Sequence, residues 1–134
     1  MGKNVSLLVL VSIISLFGCK AEGLPVDQDI KRVNIAESSG FGGLNENFIM
    51  NIEDSNKLED FQALMESAEK EDIKVNRPIY DMQIKYEDDT NRGLHLSQKK
   101  NGELTLMFIG HEEDVYVPSP ESSKKVKEIL NNLD

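Results

Sequence analysis

The chain has 134 residues, with 15 lysines and arginines against 24 aspartates and glutamates, a formal net charge of −9 with histidine neutral. That length admits one ordinary domain with a core of its own, and the single cysteine cannot form an internal disulfide. An acidic surface is repelled by phosphate backbones, so nucleic acid is not expected as a partner, whereas a cation or a basic protein patch stays admissible.

Lys3 precedes an apolar run over residues 5–17, interrupted only by Ser6, Ser12 and Ser15. A short basic segment followed by a short apolar one has the architecture of a signal peptide. A spanning helix needs about twenty apolar residues, and Gly18, Cys19, Lys20 and Glu22 end this run well before that. The tetrad Leu16-Phe17-Gly18-Cys19 resembles the lipobox of bacterial lipoproteins. That resemblance implies removal of residues 1–18 and a diacylglycerol on Cys19, which places the protein on the extracytoplasmic face of the cell membrane. Two acyl chains anchor stably where one does not. Residues 20–29 show no period and, behind the lipid-bearing Cys19, are expected to be a short tether, leaving 30–134 as one domain.

Alternation of Val33 and Ile35 with polar residues predicts a first strand over residues 30–36. Residues 38–45 (SSGFGGLN) follow as a hairpin loop with two apolar side chains at its centre. Loops of permissive backbone often carry recognition, so Phe41 and Leu44 are candidate partner contacts. No Gly-Lys-Ser/Thr follows and no helix obviously begins there, so no phosphate loop is expected. Phe48, Met50 and Ile52 predict a second strand returning antiparallel to the first. The period then changes: Leu58, Phe61, Leu64, Met65 and Ala68 form one stripe of a helix reaching about Lys70. Asn56 with Glu59 is a plausible capping pair, and Asp54 and Ser55 are alternatives.

Residues 79–86 alternate Tyr80, Met82, Ile84 and Tyr86 with Asp81, Gln83 and Lys85, a strand with one buried face. Residues 93–99 and 103–109 are strands flanking Lys100-Asn101-Gly102. A two-residue turn would align His95 and Ser97 with Leu104, Leu106 and Phe108. A three-residue loop with Gly102 left-handed gathers Leu94, Leu96, Leu104, Leu106 and Phe108 instead. The second register is preferred because it keeps His95 off the most apolar face; it leaves His95 beside Ser97 and Thr105, part-exposed. A short strand over residues 115–117 precedes Ser119-Pro120-Glu121, a cap, a first-turn proline and a first-turn acid that together start a helix. Val126, Ile129, Leu130 and Leu133 continue it at helical spacing.

The expected architecture is α+β: one antiparallel sheet of about five or six strands, in the order β-β-α-β-β-β-β-α, with two helices packed on it. This element order over residues 30–133, with the lipobox and the acidic composition, is similar to the YhfM-like lipoproteins of Gram-positive bacteria. The resemblance implies a cell-surface lipoprotein and assigns no site residues.

Catalytic signatures are sparse. His95 and His111 stand in no ligand spacing, and no His-Glu-x-x-His or Gly-x-Ser-x-Gly occurs. Residues 87–91 offer only the Asp89-x-Asn91 fragment of a calcium loop. No catalytic residue, cofactor or metal is expected, and no enzyme. Phe41, together with Tyr116, is a candidate for exposed contact, since exposed apolar surface tends to mean a partner. The expected role is a membrane-tethered interaction or regulatory module acting on an envelope protein. The alternative is a cation or basic-ligand binder using the acidic turns at 87–91 and 112–114. A hydrolase comes third and requires a pocket holding His95 or His111 beside a nucleophile.

Overall fold

Seven strands form one antiparallel sheet in a computed structural model that describes residues 22–26 and 28–133. In chain order the elements are β1 (Ile30–Glu37), β2 (Met50–Ile52), α1 (Ser55–Ser67), β3 (Glu69–Glu71), β4 (Tyr80–Tyr86), β5 (Asn91–Gln98), β6 (Leu104–Phe108), β7 (Val115–Val117) and α2 (Pro120–Leu130), closed by a short 3-10 turn, Asn131–Leu133. The strands lie side by side as β2-β1-β4-β5-β6-β7-β3. The α+β class, the single antiparallel sheet and the two helices are as expected; the strand count is not. The added strand is β3, whose Glu69, Lys70 and Glu71 pair with Val117, Tyr116 and Val115. All three of its side chains are exposed, so no alternation advertises it, and α1 ends at Ser67 rather than continuing to Lys70.

Both helices cover one face of the sheet. Phe61, Leu64 and Met65 of α1 point into the core with Val126, Ile129 and Leu130 of α2. The α1 cap is Asp54, whose carboxylate accepts from the Lys57 amide at 3.0 Å, rather than the Asn56 pairing. Ser119 caps α2 by accepting from the Ser122 amide, with Pro120 first in the helix. A buried hydroxyl joins α2 to the sheet: Ser123 Oγ accepts the Leu104 amide at 2.7 Å.

The three-residue register between β5 and β6 is the one adopted. Leu94 pairs with Phe108 and Leu96 with Leu106, and Gly102 has φ +89°, the left-handed value that glycine adopts without steric cost. Tyr80 and Tyr86 face the core side, as the alternation of β4 requires. Tyr116 does not offer a surface contact: it is buried, edge-on to Phe108 at 6.2 Å.

The opposite face of the sheet is covered too, by irregular chain. After β3 at one edge, residues 72–79 cross back as a strap to begin β4 in the middle of the sheet. Ser97 Oγ donates to Asn76 O at 2.7 Å, and the Ile79 amide to Leu96 O at 2.8 Å. The loop between β1 and β2 covers the neighbouring stretch. Ala36, Asp81, His95, Ser97, Thr105 and Met107 are consequently buried on this outer face.

Cys19 and residues 1–18 lie outside the described residues. Part of the expected tether is docked: Leu24 is buried, its amide donates to Ala68 O at 3.1 Å, and Lys70 N donates to Glu22 O at 2.7 Å. Among the described residues no helix is long and apolar enough to cross a membrane.

Candidate functional site

Antiparallel pairing of β4 with β5 sets Asp81 directly across from His95 on the outer face. Their side chains meet there, Asp81 Oδ1 to His95 Nδ1 at 2.7 Å, and neither has any exposed surface. The part-exposed position expected for His95 is therefore corrected. Strand alternation assigned its face properly, but the loop after β1 and the turn after β6 close over that face.

The remaining polar atoms of the pair are taken by the loop. Asp81 Oδ2 accepts the Asn45 amide at 2.8 Å, and His95 Nε2 lies 3.0 Å from Gly42 O. Gly42 adopts φ +136°, a conformation side chains rarely reach, and so turns its carbonyl toward the ring. Two further bonds hold the ends of the loop: Asn45 Nδ2 donates to Glu37 O at 2.8 Å, and Arg77 Nη2 donates to Ser39 O at 2.8 Å. Both ring nitrogens of His95 thus face oxygen acceptors. Glu112 Oε1 stands 3.5 Å from Nε2 as a third oxygen. The Gly110 amide, at 3.0 Å from Glu112, holds that carboxyl below its ordinary range, and proximity to His95 adds to the effect.

This network presents Phe41. The ring stands edge-on to His95 with centroids 6.2 Å apart and remains 55% exposed, while Leu44 is half-buried. Ile49, 54% exposed, follows the same loop; its amide donates to Ile35 O at 2.8 Å, which sets it beside Ala36 in the row that continues to Asp81 and His95. Of the two proposed contacts, Phe41 is the one that faces solvent. Ile49 carries no sequence signal of its own, because its apolar neighbours Phe48 and Met50 hide it.

The acidic turns are occupied by their own neighbours. Asp88 accepts from Thr90 Oγ1 and Gln28 Nε2, each at 2.6 Å, and the Thr90 hydrogen bonds hold its carboxyl low. Asp89 is held low by Lys31 at 3.1 Å and then by Lys85. Asp114 pairs with Lys70 at 2.9 Å, which raises the lysine above its usual range. His111 is an exposed side chain 3.8 Å from Glu113. Among the described residues no group of three or more acid, histidine or cysteine side chains is placed to hold a metal ion.

The family model described as YhfM protein matches residues 31–134. In the solved structures, a thioesterase-like protein from Clostridium sporogenes superposes with a TM-score of 0.59 at 20% identity, over 77% of this chain and 95% of that one. At that identity the likeness is one of fold. No curated protein matches the chain.

Proposed function

The chain belongs to the YhfM protein family, and from that premise we propose that it is a membrane-tethered extracytoplasmic lipoprotein whose domain is a protein-interaction module, with Phe41 as its principal contact. Cys19 carries the anchor in this reading, and the partner is an envelope protein reached across a short tether. The observation that carries it is the loop of residues 38–45: a glycine-rich segment locked by the buried Asp81 and His95, leaving a large aromatic ring outside. Ordering a loop in advance removes entropy that association would otherwise cost, and a half-exposed aromatic is the usual form of an interface anchor.

The use made of His95 supports a non-catalytic reading. A general base needs a free ring nitrogen beside the proton it takes, and both nitrogens here are engaged by Asp81 and Gly42. A second reading has one observation behind it. An aspartate orienting a histidine at 2.7 Å is the base half of a hydrolytic triad, and the thioesterase-like neighbour shares the fold. It requires the loop to withdraw Gly42 O and a nucleophile to enter, because no hydroxyl or thiol among the described residues is hydrogen-bonded to His95.

The experiment is affinity purification of the full-length protein from its own membranes after mild crosslinking, with Phe41→Ser and Cys19→Ser alongside. A discrete protein captured by the parent and lost from Phe41→Ser supports the module. Steady hydrolysis of an acyl thioester, abolished by His95→Gln, supports the second reading instead.

A further inference from the structure

The outer face of the sheet holds a second enclosure that shares no residue with the His95 network. A cavity of about 300 Å³ lies between the strap and the adjoining ends of β5 and β6. Ile73 and Val75 of the strap give it apolar walls, Lys74, Lys99 and Lys100 surround it, and Thr105 is its one buried lining residue. That volume is at the lower end of small-molecule sites.

Two observations point to an occupant. Thr105 is 1% exposed, and its Oγ1 has no hydrogen-bond partner among the described residues. Ser97, on the same face, finds Asn76 O; Thr105 finds nothing, and a buried hydroxyl left without an acceptor is costly. The second is charge. In a chain of net −9, three lysines converge on one cavity. Lys99 reaches Glu103 at 3.4 Å, while Lys74 and Lys100 have no ion pair among the described residues.

We propose that this cavity binds a small anionic amphiphile, a carboxylate or phosphate head group on a short apolar chain. A head-group oxygen accepts from Thr105 Oγ1, the ammonium groups of Lys74 and Lys100 close over the anion, and the apolar chain lies along Ile73 and Val75. The ligand gives the orphan Thr105 hydroxyl its acceptor, while the lysines and the half-buried aliphatic side chains of the strap supply the matching charge and apolar wall. The site is independent of the Phe41 surface, and its failure would leave that reading untouched.

The test is a methyl NMR titration of the full chain in nanodiscs of zwitterionic lipid, using octanoate as the probe. Saturable shifts are expected at the methyl groups of Ile73, Val75 and Thr105. Octanol, with a similar chain and no charge, should bind at least about tenfold more weakly. The exposed double variant Lys74→Glu/Lys100→Glu should lose about tenfold or more, and the near-isosteric Thr105→Val about fivefold. Octyl phosphate distinguishes sources: tighter binding than octanoate marks a phosphate-headed lipid or ester, and weaker binding a free acid. Absence of saturable shifts at these methyls overturns the proposal. So does equal affinity for octanol and octanoate, equal affinity for inorganic phosphate and octyl phosphate, or unchanged affinity in the lysine double variant.

Discussion

Asp81 and His95 face each other across β4 and β5 at 2.7 Å with no solvent access, and each also holds the backbone of one loop, at Asn45 and Gly42. A buried acid and a buried imidazole are expensive to place in a core unless each polar atom has a partner. Here the partners are main-chain groups of a segment that has no regular structure of its own. The pair therefore couples the stability of the sheet to the conformation of the loop that displays Phe41.

Removing one member should expose that coupling. His95→Ala is expected to lower unfolding free energy by about 2–4 kcal/mol, since it strands Asp81 and opens a cavity. Amide exchange at Asn45 and its neighbours should accelerate beyond the global loss. Denaturant unfolding and hydrogen exchange on the same samples check both; a loss of stability with no local change at the loop would deny the coupling.

Phe41→Ser should behave in the opposite way. The ring is more than half exposed, so stability should change by less than about 1 kcal/mol, while capture of the proposed envelope partner should be lost. Thermal melts run beside the purification separate the two effects.

The start of α1 gives a sharper contrast between neighbours. Asp54 accepts the Lys57 amide, so Asp54→Ala should cost about 1 kcal/mol, whereas Asn56→Ala, inside the helix, should be near neutral. Equal costs measured by urea denaturation would contradict the assignment of the cap.

Acid should loosen the turn that closes over His95. The Glu112 carboxyl is held below its ordinary value of 4.5, first by the Gly110 amide, so its contribution favours the folded state. That contribution is complete above the unfolded value and disappears as pH falls through the lower folded one. Glu112→Gln should therefore flatten the stability profile on the acid side, below about pH 4.5, and leave its shape near neutrality unchanged. Melts of both proteins across that window provide the check.

Much of the fold was legible because several local rules agreed. Ser119, Pro120 and Glu121 all announce a helix start, and α2 begins there. The apolar alternation on both sides of Gly102 selected the register that the pairing of Leu94 with Phe108 realises. Where one rule stood alone, the reading was weaker. β3 has no buried side chain and owes its existence to the free edge of β7 and to Leu24 and Glu22 alongside, which only tertiary structure supplies. The same limit governs the site. Period assigned His95 to the outer face, yet what covers that face is the strap and a glycine-rich loop, segments with no period to read. Phe41 was identified from its setting between glycines; Asp81, its indirect support, looked like any polar residue on the wet side of a strand.

The most direct test of the proposed interaction module is photocrosslinking from position 41 itself, with a benzoylphenylalanine replacing Phe41 in the full-length protein in its own cells. The expected result is one discrete protein adduct, absent when the probe is moved to Glu121 on the exposed surface of α2 and diminished by His95→Ala, which frees the loop. No protein adduct at position 41, or the same adducts from both positions, would contradict the claim that this loop is the contact surface.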